Sequence, residues 1–199
     1  SSVNDGKSVY VSRTSLGKEL AKLETEKITK EHIVIPVPDT AKASGDAYAY
    51  QLGIPSKEGL IRNRFVGRTF IEGSSRDDRV QNKYTVLKEV VKGKKVMLVD
   101  DSIVRGTTLE KSILTLLDRL EPKKIVIVSS APQIRFPDCY GIDMSKMRDF
   151  LACRAVLALL KEHNKEDLLD VVFDKCLASQ SEQNPLNHVN ELYEQFTYE

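Results

Sequence analysis

Three short runs rich in β-branched residues, separated by stretches of helical periodicity, constrain this chain more than any other feature. They are His32-Ile33-Val34-Ile35-Pro36-Val37, Lys95-Val96-Met97-Leu98-Val99 and Lys124-Ile125-Val126-Ile127-Val128. Near-continuous apolar runs of this length predict strands buried on both faces, as in parallel sheets. Leu109, Ile113, Leu116, Leu117 and Leu120 recur at three- and four-residue spacing, and Leu16, Leu20 and Leu23 do so earlier. Each set predicts a helix with that stripe turned inward. The alternation predicts an α/β fold, an open and mainly parallel sheet flanked by helices. Beyond Asp143 the pattern becomes purely helical over 147–163, 165–177 and, more weakly, 187–196. Leu151, Ala155, Leu159 and Leu160 form the stripe of the first of these. The expected organisation is a core over 1–144 and a helical C-terminal segment over 145–199 packed on it.

Composition removes several function classes. Lys and Arg number 30 and Asp and Glu 29, a net charge of +1. That balance argues against a general nucleic-acid binder or a polybasic membrane-surface protein, yet leaves room for one small anionic ligand held by local charge. No apolar run reaches the roughly 18 residues of a membrane span, and the first residues lack a leader pattern. Cys139, Cys153 and Cys176 are odd in number and widely spaced, which reads as reduced thiols in a cytoplasmic protein. His32, His163 and His188 have no metal-ligand or triad context.

The chemistry concentrates in Val96-Met97-Leu98-Val99-Asp100-Asp101-Ser102-Ile103-Val104-Arg105-Gly106-Thr107-Thr108. An apolar strand runs into two acids, then into a loop with Arg, Gly and two Thr, then into a helix. In open α/β sheets ligands bind beyond the carboxyl ends of strands. A helix N-terminus there offers unpaired N–H groups suited to phosphate. Gly106 permits close backbone approach, and Thr107 and Thr108 add hydroxyls. Asp100 and Asp101 repel phosphate, so they suit sugar hydroxyls or a Mg²⁺ ion held partly through water. The plainer alternative is a strand followed by a helix capped by Thr107 or Thr108.

Two further segments stand out. Residues 59–92 carry Arg62, Arg64, Arg68, Arg76, Arg79 and Lys83 among acids, and read as a long charged loop of the kind that is functional or solvated. The turn Pro36-Val37-Pro38-Asp39-Thr40 follows the first strand. It is either a ligand-facing turn or a rigid one in which Asp39 or Thr40 caps the next helix.

The Val96–Thr108 stretch resembles the phosphoribosyl pyrophosphate (PRPP) motif of the type I phosphoribosyltransferases. Val34–Thr40, Gly59-Leu60-Ile61-Arg62-Asn63-Arg64-Phe65-Val66-Gly67-Arg68-Thr69-Phe70-Ile71 and Ser130-Ala131-Pro132-Gln133-Ile134-Arg135-Phe136-Pro137-Asp138-Cys139-Tyr140-Gly141-Ile142-Asp143-Met144 are similar to the amidophosphoribosyltransferase family. So are Asp5-Gly6-Lys7-Ser8-Val9-Tyr10 and Arg13 with Leu16-Gly17. The resemblance implies a type I phosphoribosyltransferase fold and the transfer of an amino group from ammonia to PRPP. The products are pyrophosphate and 5-phosphoribosylamine, opening purine synthesis.

Carried onto this sequence, the resemblance implies that Asp100 and Asp101 hold ribose and Mg²⁺. Ser102, Val104, Arg105, Gly106, Thr107 and Thr108 cradle the 5-phosphate. Asp39 and Thr40 lie in the pyrophosphate turn, joined by Arg62, and Arg68 and Lys83 supply catalytic cations on a flexible loop over about 59–83. Arg135 and Tyr140 would face the nucleotide side. The implied partners are PRPP, ammonia, inhibitory purine nucleotides and further copies of the chain.

Some positions depart from the family pattern. Arg62 replaces a common Lys, Phe65 a common Tyr and Ala41 a common Ser. The family's glutaminase domain uses a cysteine at its first residue as nucleophile, whereas the first residue here is Ser1 and the nearest cysteine is Cys139. The expectation is therefore a transferase part without its glutaminase domain, with no glutamine hydrolysis. Three cysteines are one short of the four thiolates of an iron–sulfur cluster, so no cluster is expected. Two other readings remain open from sequence. One is a type I enzyme with a nucleobase acceptor, and the other is a non-catalytic regulator that binds PRPP or nucleotides.

Overall fold

A computed structural model describes residues 2–63, 84–138, 144–181 and 183–196. The chain divides into two compact units, Ser1–Gln133 and Ile134–Glu199. No helix among the described residues is long and apolar enough to cross a membrane.

The first unit opens with a small hairpin, β1 (Val3–Asn4) and β2 (Lys7–Ser8), leading into α1 (Val9–Lys22). Next come β3 (His32–Pro36), α2 (Lys42–Leu52), β4 (Leu60–Arg62), β5 (Tyr84–Val86), α3 (Lys88–Val91) and β6 (Lys95–Asp100). A π-wound helical segment, Leu109–Leu114, continues into α4 (Thr115–Asp118), and β7 (Lys124–Ser129) follows. All three runs expected as strands are strands. They form a parallel sheet in the order β3-β6-β7, with Pro36 beside Val99 and Asp100 beside Ser129.

Period-two alternation explains why both faces of this sheet are covered. Ile33, Ile35, Val37, Val96 and Leu98 turn to one side, where Leu109, Ile113 and Leu117 of the helix and Leu60 and Tyr84 of the β4–β5 hairpin pack on them. Val34, Met97, Val99 and Val128 turn to the other side and meet Ala21 of α1 and Tyr48 and Ala49 of α2. The Tyr48 hydroxyl is kept from apolar isolation by donating to the Glu24 carboxylate.

Three expectations need correction. First, β7 is less covered than expected: Ile127 is 43% exposed, and among the described residues β6 is the neighbour of β7 in this sheet. Second, the Leu16–Leu20–Leu23 stripe is out of phase. Leu16 and Leu23 are exposed, and α1 buries Gly17 and Ala21 instead. The cause is backbone proximity. A Cβ on Gly17 would lie 2.1 Å from the Ser44 carbonyl oxygen of α2, so only the small-residue face of α1 can dock there. Third, residues 60–62 and 84–86 are not loop. They form the antiparallel β4–β5 hairpin, with Arg62 opposite Tyr84.

The second unit holds α5 (Leu151–Glu162), α6 (Asp167–Ser179) and α7 (Asn190–Tyr193). Its core joins Val156, Leu160, Val172, Leu192 and Tyr193. The expected stripe is again shifted. Cys153, Val156 and Leu160 are buried, whereas Ala155 is exposed and Leu151 partly so. Cys153 and Cys176 are free thiols, and burial pushes the Cys153 thiol upward. Arg135 stacks over Tyr193 at 5.0 Å and accepts that residue's hydroxyl at its backbone carbonyl.

Gly17→Ala should destabilise the protein by about 1–3 kcal/mol, since the added methyl overpacks against backbone that cannot rotate away. Urea unfolding checks this. A midpoint equal to wild type would show that α1 does not depend on the contact.

Candidate active site

Parallel pairing sends β3, β6 and β7 out of the sheet on the same side, so their carboxyl-terminal turns are neighbours. The Val37 N–H donates to the Val99 carbonyl (2.8 Å), extending β3–β6 pairing into the 37–40 turn. The Ser130 N–H donates to the Asp100 carbonyl (2.9 Å). The Ser130 hydroxyl donates to the Asp101 carbonyl (3.3 Å). The backbone carrying the two acids is thus fixed from the β7 side.

Asp100 ends β6 and Asp101 begins the loop. The Asp101 N–H donates to Asp100 Oδ1 (2.9 Å), turning the two carboxylates into one tight acidic corner. Partial burial pushes the Asp100 carboxyl up to about 6. The Asp101 N–H opposes that shift, and the neighbouring Asp101 charge adds to it. A half-buried carboxylate held this way favours its neutral form, and a cation or a hydrogen-bond donor beside it would reverse that preference.

Ser102, Val104, Arg105 and Gly106 continue the loop, with Gly106 at φ +70°. That left-handed geometry suits glycine. It delivers the chain to Thr107 and Thr108 at the start of the helix, where Glu110 N–H already bonds the Gly106 carbonyl (2.9 Å). Thr107 and Thr108 already belong to the first helical turn, and Thr108 has helical φ and ψ of −66° and −40°. Both threonines are exposed.

Asp39 and Thr40 lie exposed on the turn after β3. Neither caps α2, whose N-cap is Ala41 without a side-chain bond. Arg62, at the end of β4, reaches the turn, and its Nη1 donates to Asp39 Oδ2 (3.2 Å). A cleft of about 450 Å³ lined by Tyr10, Arg13, Thr40, Lys42 and Asp46 borders the same turn. Arg68, Lys83 and Tyr140 lie outside the described residues.

Sequence reasoning missed three contributors. Arg13 Nη1 donates to the Thr40 carbonyl (3.1 Å), bracing the turn from α1. Ser130 anchors the acids, as above. Tyr84, buried beneath the hairpin, lies within electrostatic reach of Arg62, Asp100 and Asp39. Its phenol is shifted up mainly by burial, with Arg62 opposing and the two carboxylates adding. The only sequence signal for Tyr84 was its place opposite Arg62, which is invisible when 59–92 is read as loop.

Fold and site together define an open α/β protein with two acids, a glycine turn and a helix start at the carboxyl edge of its parallel sheet. The phosphoribosyl transferase domain family model matches residues 14–141, and the chain belongs to that family. Among its relatives are the amidophosphoribosyltransferase of Pyrococcus horikoshii, 39% identical over 84% of this chain and 36% of the relative, and that of Saccharomyces cerevisiae, 43% identical over 76% and 30%. A solved structure of the glutamine PRPP amidotransferase of B. subtilis, complexed with ADP and GMP, superposes with a TM-score of 0.66. It is 38% identical and covers 81% of this chain and 35% of its own. The chain thus spans about a third of the length of these relatives.

The Asp100 shift has a sign that can be checked. An acid raised from 3.8 to about 6 in the fold contributes stability at low pH that is lost as pH climbs through that window. Ligand-free protein in chelator should melt at progressively lower temperature over that range. Asp100→Asn should flatten this part of the profile and raise Tm at about pH 7. Superimposable melting profiles for the two proteins would contradict the burial of this charge.

Proposed function

We propose that this chain is the phosphoribosyl-transfer part of an amidophosphoribosyltransferase. It would transfer the amino group of ammonia to PRPP, release pyrophosphate and form 5-phosphoribosylamine at the start of purine synthesis. The observation that carries this reading is the Asp100–Thr108 turn: two carboxylates at a strand end, a left-handed Gly106, and a helix that starts directly after it. Similarity of about 40% to enzymes of that name supports the choice of acceptor.

Asp100 and Asp101 accept hydrogen bonds from the ribose hydroxyls. Backbone N–H groups over 104–108, with the Thr107 and Thr108 hydroxyls, hold the 5-phosphate. The 37–40 turn and Arg62 receive the diphosphate, with Arg68 and Lys83 as further cations. In the reaction the ammonia lone pair forms the new C–N bond at C1 of the ribose. The C–O bond to the diphosphate breaks, its electron pair leaves with pyrophosphate, and the ammonium nitrogen sheds a proton. No protein nucleophile is required. The chain's task is to orient the reactants and stabilise charge.

The donor set fits Mg²⁺. Two adjacent carboxylates are available, and among the described residues no cluster of three His, Cys, Asp or Glu forms a protein cage. Magnesium bound by one or two carboxylates with substrate oxygens and water is the usual arrangement. Held by Asp100 and Asp101, it would neutralise charge on the departing diphosphate. Purine nucleotides as inhibitors, assembly into a homo-oligomer and a cytoplasmic location complete the proposal. The ADP and GMP complex of the B. subtilis relative supports the first of these.

Pyrophosphate release from PRPP and ammonia, with and without Mg²⁺, tests this directly. Turnover should need the metal, and the Asp100→Asn/Asp101→Asn double variant should lose at least about 10²-fold in rate. Unchanged turnover in that variant would remove the acids from the site. Turnover with a nucleobase but not with ammonia would reassign the acceptor.

A further inference from the structure

Asp39 is oddly placed for a turn that receives phosphate, because its carboxylate repels the ligand the turn is built to hold. The structure gives it another occupation. Its Oδ2 accepts from Arg62 Nη1 at 3.2 Å, with the two side chains 62% and 43% exposed. The other cations around the turn are handled the same way. Arg13 donates to the Thr40 carbonyl (3.1 Å). Lys42 lies 3.9 Å from Asp46, and Asp46 also accepts from the Ser56 hydroxyl (2.6 Å). Arg13, Lys42 and Arg62 thus all lean on acceptors of the protein itself.

We propose that Asp39 is a stand-in anion. In the ligand-free protein it holds Arg62 over the 37–40 turn, and it yields Arg62 to the diphosphate group when that group arrives. This rests on the reading of that turn as the diphosphate site. The exchange is favourable on elementary grounds. A diphosphate carries more negative charge than one carboxylate. The pair being broken is exposed and of the weakly stabilising kind. Asp39, mostly in solvent, regains water at little cost when released. The same competition acts in reverse on the product, because Asp39 is ready to reclaim Arg62 as pyrophosphate departs. Asp39 is therefore a positioning residue that acts through Arg62.

Calorimetric titration of the full chain with inorganic pyrophosphate in the presence of Mg²⁺ tests the exchange. Asp39→Asn should bind pyrophosphate about three- to tenfold more tightly than wild type, the size expected for removing one partly screened charge. In an Arg62→Gln background the same Asp39→Asn change should give a clearly smaller gain, because only the direct repulsion between carboxylate and diphosphate is left to relieve. Asp39→Ser should behave as Asp39→Asn does, which guards against a peculiarity of one variant. Unchanged or weaker binding in Asp39→Asn would overturn the proposal. So would an equal gain in the Arg62→Gln background, which would make Asp39 a simple repulsive charge. Wild type that binds no pyrophosphate would overturn the reading of the turn itself. Binding by wild type without the Asp39 effect would overturn only the exchange.

Discussion

Everything that matters in this chain depends on β6 pairing in parallel with β3 on one side and β7 on the other. Parallel pairing aligns the carboxyl ends of all three strands. The 37–40 turn, the acidic corner at Asp100–Asp101 and the Ser129–Ser130 segment therefore leave the sheet together. An antiparallel neighbour would have sent one of these turns to the opposite edge. The chemistry is assembled by strand direction first and by side chains second.

Holding that alignment is the work of the two layers on the sheet. On one side the helix beginning beyond Gly106 packs Leu109, Ile113 and Leu117 onto β3 and β6, and so fixes the end of the 101–106 loop. On the other, α1 and α2 approach so closely at Gly17 that their backbones nearly touch. This brings Arg13 close enough to brace Thr40. The packing of α1, remote from the acids in sequence, thereby reaches the site.

The sheet was legible in the sequence because short, near-continuous β-branched runs between helical stretches leave few alternatives, and all three strands lie where the pattern put them. The acids and the Gly106 loop were legible because strand, carboxylates, glycine and helix start fall in one contiguous stretch. Helix faces were less so. Leucine spacing pointed to Leu16 and Leu23, yet close approach selected Gly17 and Ala21, and small residues leave no mark in a hydrophobic stripe. The Arg62–Tyr84 pairing was hidden for another reason. Strands of three residues are too short for periodicity, and the partners are separated by a highly charged stretch. Contacts made through backbone carbonyls, such as those of Arg13 and Ser130, carry no sequence pattern at all.

In the proposed reading the site combines two demands that pull against each other, anionic groups for ribose and metal and cationic groups for phosphate, within one sheet edge. The corner at Asp100 and Asp101 is mounted on β6, whereas Arg62 comes from β4 and Arg13 from α1. A crystal structure of the chain with PRPP and Mg²⁺ tests this division most directly. The ribose hydroxyls should lie against Asp100 and Asp101, with the 5-phosphate on the backbone of 104–108. A PRPP molecule bound with its phosphate remote from Gly106, or with the two acids left in solvent, would contradict it.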